Sequence, residues 1–169
     1  MAAEVTGVFH PAGQVLLRTV DDTQAWGARL GALLKAGDLL LLTGDLGAGK
    51  TTLAQGIASG LGVRGPVTSP TYVIARVHPS LVGGPDLVHV DAYRLGGLAE
   101  LDDLDLDASL DAAVTIVEWG HGVAEHLSED YLEVTLRGHD TRTVELVGHG
   151  ARWTDPAAGA ALDGLVSLA

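Results

Sequence analysis

The sequence predicts an α/β fold: a largely parallel central sheet flanked by helices, with an antiparallel C-terminal hairpin. Three observations predict it. Leu39–Thr43 and Val114–Glu118 are continuous apolar runs, as expected of strands covered on both faces. The segments around them carry apolar residues at helical spacing, and strands alternating with helices imply a parallel sheet. Near the end, Tyr131–Arg137 and Thr141–Val147 alternate apolar and polar residues around Gly138-His139-Asp140, the pattern of a hairpin.

Taken in order, Gln14–Thr19 reads as a short strand. Asp21, Asp22 or Thr23 can cap a helix running to about Ala36, with Trp26, Leu30, Leu33 and Leu34 on one face. Leu39–Thr43 follows, bounded by Gly37-Asp38 and Gly44, and a helix is expected from about Gly49 to Leu61. Thr71–Val77 and Leu87–Asp91 are two further strands, separated by a turn or loop rich in Pro and Gly. Glu100–Leu110 is an acidic, leucine-spaced stretch expected to be partly helical, and Gly120–Leu127 a short helix. The residues after Trp153 are rich in Ala and Gly, which leaves a terminal helix and a loose tail both open for 154–169.

The 169 residues suit one domain, and 47% apolar residues provide for a substantial core. Without cysteine, disulfides and thiolate metal sites are excluded. No apolar run approaches the roughly 18 to 20 residues of a membrane helix, and the start MAAEVTGVFHP lacks the features of a signal peptide. The expectation is a soluble cytoplasmic protein with no membrane role. A net charge of −12 with only two lysines, Lys35 and Lys50, argues against direct binding of bulk nucleic acid, which depends on basic side chains neutralising phosphates. Acidity of this kind is also simply what keeps a protein soluble.

Gly44-Asp45-Leu46-Gly47-Ala48-Gly49-Lys50-Thr51 fits the pattern G-x-x-x-x-G-K-[ST] at every fixed position. The glycines let the backbone wrap with successive N–H groups pointing inward, forming an anion nest at the start of a helix. Lys50 is placed to reach the β- and γ-phosphates of a nucleotide and Thr51 to put its hydroxyl on Mg²⁺. A four-leucine strand before the loop and a helix after it supply the context the motif needs. The fold expectation therefore sharpens to a P-loop NTPase-like three-layer arrangement, with residues 1–169 as a single ATPase domain.

A phosphate cradle needs carboxylates to complete it. Glu118 ends the apolar strand VTIVE, where a metal-binding acid belongs, and Trp119 follows it either as a cover for the nucleotide or as a packing residue. Asp91 ends another strand and can bind metal through water, orient the attacking water, or pair with Arg94. His89, two residues earlier, reads as a core or hydrogen-bonding histidine rather than a ligand. Asp103-Leu104-Asp105-Leu106-Asp107 begins like a calcium loop but has Ala108 where Gly is required and Val114 where Glu is required. The histidines show no zinc-binding spacing.

The chain contains no asparagine, so the guanine-reading N-K-x-D motif is absent and ATP is the expected nucleotide. A small-molecule kinase is the main generic rival, yet the arginines are scattered and none cluster as in a kinase lid. A non-catalytic nucleotide-binding adaptor is the third possibility.

GDLGAGKTT, VTSPTY, HVDAYRL and VEWG, in that order, resemble the motifs of the TsaE (YjeE) family of bacterial ATPases, from about Asp21 to about Leu146. The resemblance implies a cytoplasmic Mg-dependent ATPase required for threonylcarbamoyladenosine modification of tRNA. It implies a nucleotide-driven switch working with TsaD and TsaB and touching tRNA only through that complex. Carried over, the pattern puts Lys50 on the phosphates, Thr51 and Glu118 at Mg²⁺, and Asp91 and Trp119 at further functional positions. Thr52 adds a second hydroxyl, and Ser69-Pro70-Thr71 forms a switch-like loop. A looser match sets Thr19, His139 and Arg142 near the adenine or ribose. Tyr72, where the family often has Phe, and the stretch near Asp105, where it often has Gly, are the departures.

Overall fold

A computed structural model describes residues 7–11, 13–45, 47–65, 67, 75–91, 110–118 and 126–167. Its strands are β1 (Val8–Phe9), β2 (Val15–Leu17), β3 (Leu39–Thr43), β4 (Ala75–His78), β5 (Asp86–Asp91), β6 (Ala113–Glu118), β7 (Tyr131–Arg137) and β8 (Arg142–His149). Its helices are α1 (Val20–Leu33), α2 (Lys50–Leu61), α3 (Ala151–Thr154) and α4 (Pro156–Ser167).

All the strands form one sheet in the order β1-β8-β7-β3-β6-β5-β4, with β2 also paired to β8. The centre is parallel: β5 with β6, β6 with β3, and β3 with β7. Both edges are antiparallel, through β4–β5 on one side and β7–β8, β1–β8 and β2–β8 on the other. The central strands are largely apolar because both of their faces are covered; Leu39, Leu40, Leu41 and Leu42 are all fully buried. The hairpin strands alternate buried and half-buried residues, as one-sided strands do.

Period-two alternation divides the core. Leu40, Leu42, Leu87, Val114 and Ile116 belong to the larger cluster, with Trp26, Leu30, Leu53, Ile57, Trp153, Leu162 and Leu165 from the helices. Leu39, Leu41, Val88, Val90, Ala113 and Val117 face the other way, against Leu110. The described helices thus pack on one face. The layer expected on the other, from Glu100–Leu110 and Gly120–Leu127, falls largely on residues outside the described ones, as do Thr71–Ile74.

α1 and α2 meet through glycines. A Cβ on Gly27 would stand 2.9 Å from the Leu53 carbonyl, and one on Gly60 would run into the carbonyl of Ala28. Such contact lets the helix that follows the glycine-rich loop lie tight on its neighbour. At the opposite end of the sheet from that loop, Arg152 holds the buried Asp38 with two hydrogen bonds, 2.9 and 3.0 Å, and its guanidinium lies 4.2 Å from the Trp153 ring. This tethers α3 to the turn before β3.

Two expectations change, and one left open is resolved. The cap of α1 is Thr19, not Asp21, Asp22 or Thr23: its Oγ accepts from the Asp22 amide at 3.0 Å while Asp22 accepts from the Thr19 amide. This reciprocal box satisfies two amides that a single acidic cap would not. The strand expected over Gln14–Thr19 is therefore only Val15–Leu17, its end taken by the cap. The C-terminal residues form α4, docked by its apolar face, with Leu162 fully buried and the Leu165 carbonyl accepting the Trp26 indole N–H at 3.2 Å.

Candidate functional site

The parallel strands β3, β6 and β5 end at the same edge. Register sets Leu42 beside Glu118, and Glu118 beside Asp91. Side chains two apart on a strand share a face, so His89, Asp91 and Glu118 all project to the face that carries α2. All three are buried, at 0%, 5% and 4% exposure. Burying acids there is costly unless they are paired or await a cation.

The glycine-rich loop leaves β3 at this edge. Gly44, Gly47 and Gly49 have φ of 152°, 82° and 103°, where side chains with a Cβ are strained. Gly49 is the N-cap of α2 and provides no side-chain cap. The first turn of α2 thus keeps backbone donors without a capping side chain, at the positive end of the helix dipole. Within the loop the Ala48 amide donates to the Asp45 carbonyl at 3.0 Å. Lys50 folds back across the loop, donating its Nζ hydrogens to the carbonyls of Gly44 at 2.6 Å and Asp45 at 3.2 Å.

Lys50 is only 6% exposed. Burial pushes its ammonium below the ordinary lysine range, and the carboxylates of Glu118, Asp45 and Asp91 oppose that shift. The lysine of the loop and the acids of two other strands therefore lie within one electrostatic field.

Glu118 has a specific partner: the imidazole Nε2 of His89 lies 2.5 Å from its Oε2, both groups buried. Thr51 and Thr52 are half-buried in the first turn of α2. One hydroxyl, from Thr51, and one held carboxylate, from Glu118, could serve a small hard cation that takes its other ligands from water and phosphate. Among the described residues no group of three His, Cys, Asp or Glu side chains forms a self-sufficient metal cage.

The hairpin closes the other flank. Arg142 donates its Nε hydrogen to the Ala48 carbonyl at 2.8 Å, and a Cβ on Gly44 would lie 2.7 Å from the Leu136 carbonyl. The register pairs Leu17 with Arg142, so Thr19, His139 and Arg142 stand at the same end of the sheet as the loop. His139 is exposed in the hairpin turn. Leu46, Trp119 and the Ser69-Pro70-Thr71 loop lie outside the described residues, as does Arg94.

The sequence reading missed the engagement of Glu118 by His89. A signal was present in the i, i+2 spacing of His89 and Asp91 on a strand, which puts both on one face. The pairing itself spans 29 positions and depends on strand order. No described helix is long and apolar enough to cross a membrane.

Comparison with known proteins identifies the family. The family model for threonylcarbamoyl adenosine biosynthesis protein TsaE matches residues 17–145. A tRNA threonylcarbamoyladenosine biosynthesis protein TsaE from Streptomyces coelicolor is 59% identical over 134 residues, 75% of this chain and 90% of the relative. The protein of that name from Bacillus subtilis is 38% identical over 145 residues, 83% of this chain and 89% of the relative. The crystal structure of Bacillus subtilis YdiB superposes with a TM-score of 0.72 at 28% identity, covering 98% of this chain and 99% of the other. The loop, its helix and the acidic strand ends all fall inside the matched span, and the chain belongs to the family described as threonylcarbamoyl adenosine biosynthesis protein TsaE.

Proposed function

We propose that the chain is a magnesium-dependent ATPase that acts as a nucleotide-driven switch in threonylcarbamoyladenosine modification of tRNA, in complex with TsaD and TsaB. The observation that carries the reading is the meeting of Lys50, folded over an anion nest, with Glu118 and Asp91 from adjacent strand ends. The tRNA pathway rests on family membership and on the printed names of the relatives. The partners TsaD and TsaB, and the cytoplasm as the compartment, rest on the motif resemblance.

In this reading the amides of residues 45 to 52 and the Lys50 ammonium receive the phosphate oxygens of ATP, with Trp119 at the nucleotide. Thr51 and Glu118 would hold Mg²⁺, which when bound would supply charge neutralisation for the phosphates. Asp91 accepts a hydrogen from the attacking water and orients it towards the γ-phosphorus. Thr19, His139 and Arg142 border the nucleoside. Such a site works by positioning and by fixed charge rather than covalent chemistry. Turnover by the isolated chain is slow, with completion by the partners, and tRNA is reached only through them.

The test joins chemistry to assembly. ADP release is measured for the chain alone and with TsaD and TsaB, and capture of the partners is compared with ATP, ADP and no nucleotide. Capture that follows nucleotide state, with hydrolysis lost in Glu118→Ala, is the expected result. An absolute requirement for a small-molecule acceptor that becomes phosphorylated would instead identify a kinase. ATP binding without hydrolysis in the full assembly would identify an adaptor.

A further inference from the structure

We infer that His89 is a positioning residue for the metal-binding acid: it holds one oxygen of Glu118 so that the other is preset towards the cation. This rests on the proposed assignment of Glu118 as the magnesium acid and extends it to a residue that touches neither nucleotide nor water.

The geometry is specific. His89 stands on β5 and Glu118 on β6, yet they are not cross-strand partners: His89 is paired with Ile116 and Asp91 with Glu118. The contact is therefore diagonal, offset by one pleat along the sheet. Both side chains are almost wholly removed from water, and Nε2 to Oε2 is 2.5 Å. A carboxylate only accepts, so Nε2 carries the hydrogen. The other ring nitrogen, Nδ1, is buried without a partner among the described residues. A structural histidine in a core normally uses both nitrogens, since an unmet buried polar atom is unfavourable. Here the ring meets one group only, and that group is the acid at the loop.

Consider the acid without the ring. A glutamate has three rotatable bonds, and at a buried strand end it is free to swing towards a cation such as the Lys50 ammonium, whose field it already shares. A fixed donor restrains that swing and sets the plane of the carboxylate. Partners of this kind behind a ligand typically change metal affinity by about 10- to 100-fold when removed.

The experiment uses the full chain with two substitutions of nearly equal length and volume, His89→Gln and His89→Met. Only the first keeps an N–H donor near the position of Nε2. Manganese binding to the chain saturated with ADP is read by electron paramagnetic resonance. Affinity for a fluorescent ADP analogue is measured in EDTA, and thermal unfolding is followed in parallel. His89→Met is expected to weaken Mn²⁺ binding at least about tenfold, with metal-free ADP affinity unchanged, and His89→Gln to recover most of the loss. Should the methionine variant not fold, His89→Leu takes its place in the comparison.

Equal manganese affinity in the wild type and the methionine variant overturns the inference. So does an equal loss in both variants, which would mark the ring as packing alone. Glu118→Gln separates this from the parent reading: wild-type manganese affinity there removes Glu118 from the metal site altogether. A loss in Glu118→Gln with none in His89→Met leaves the ATPase reading standing and rejects the role of His89.

Discussion

Arg142 lies directly over Gly49: a Cβ added to Gly49 would stand 2.7 Å from the arginine Nε and 3.0 Å from its Cδ. The same Nε donates to the Ala48 carbonyl, so the hairpin grips the loop just before α2 begins. Gly49 is thus required twice, for its φ of 103° and for the space the arginine occupies. Gly49→Ala is expected to cost about 1–3 kcal/mol from backbone strain alone and to displace Arg142. Nucleotide affinity should fall at least tenfold by titration with a fluorescent analogue. Arg142→Ala in the same background should restore part of the loss, because the guanidinium no longer competes for the volume. No recovery in the double variant would mean that the backbone conformation alone makes the demand.

Lys50 gives a second prediction. A hydrogen bond to a charged group contributes about 1.5–3 kcal/mol, so Lys50→Ala should weaken ATP binding by roughly 10- to 150-fold. The pH dependence has a definite sign. Burial holds the free-state pKa below 10.5, and a bound triphosphate favours the charged form and raises it. Affinity is therefore full below the free-state pKa and falls as pH rises through the bound-state value. The decline begins at a lower pH than an ordinary lysine would give, and it is absent in Lys50→Ala. Calorimetry across alkaline buffers should show proton uptake on binding in that window; identical pH profiles in the two proteins would defeat the assignment.

The contact between α1 and α2 makes a third. Alanine is a better helix former than glycine by about 1 kcal/mol, which would favour Gly60→Ala in an open helix. At this position the new methyl meets the Ala28 carbonyl and stands 2.9 Å from its Cα, all backbone. Overpacking costs about 1–3 kcal/mol, and because a backbone neighbour cannot rotate away the upper part of that range, about 2–3 kcal/mol, applies here. The net expectation is destabilisation of about 1–2 kcal/mol, visible as a fall of roughly 2–8 °C in Tm. An unchanged or raised Tm would show that the helices separate freely.

What could be read from the sequence was local. The four-leucine strand and the spacing of Gly44, Gly49, Lys50 and Thr51 fall within the thirteen residues from Leu39 to Thr51, and that continuity placed strand, loop and helix correctly. The hairpin was legible for the same reason. The cap of α1 was not, because Asp21, Asp22 and Thr23 all suit a cap and only backbone conformation singles out Thr19. The two-residue β1 carries too short a pattern to register, and the antiparallel pairing of β4 depends on partners that no local pattern names. At the site, Asp91 and Glu118 were legible as acids at the ends of apolar strands. Their neighbourhood was not: the parallel register that sets them side by side, and the reach of Glu118 to His89, follow from strand order. Arg142 was expected beside the nucleoside, and its hydrogen bond to Ala48 shows it joined to the loop.

His78 carries the last prediction, which concerns stability rather than catalysis. Burial pushes its pKa below 6.5; its hydrogen bond to the Arg64 carbonyl opposes the shift, and His89 and Arg76 reinforce it. Its Nδ1 donates to that carbonyl at 3.2 Å, while Nε2 is buried without a partner among the described residues. Protonating the ring would place a second N–H where nothing accepts it. The unfolded chain therefore binds more protons than the folded one between the lowered folded-state pKa and 6.5, and stability rises with pH across that window. It follows that the denaturation midpoint of the wild type should fall as pH drops below 6.5, whereas His78→Gln, which retains a donor for the Arg64 carbonyl, should show a smaller slope. The comparison is made by denaturant unfolding at constant ionic strength, with the m-value checked at each pH. A wild-type slope that persists unchanged in His78→Gln would place the acid sensitivity on another group.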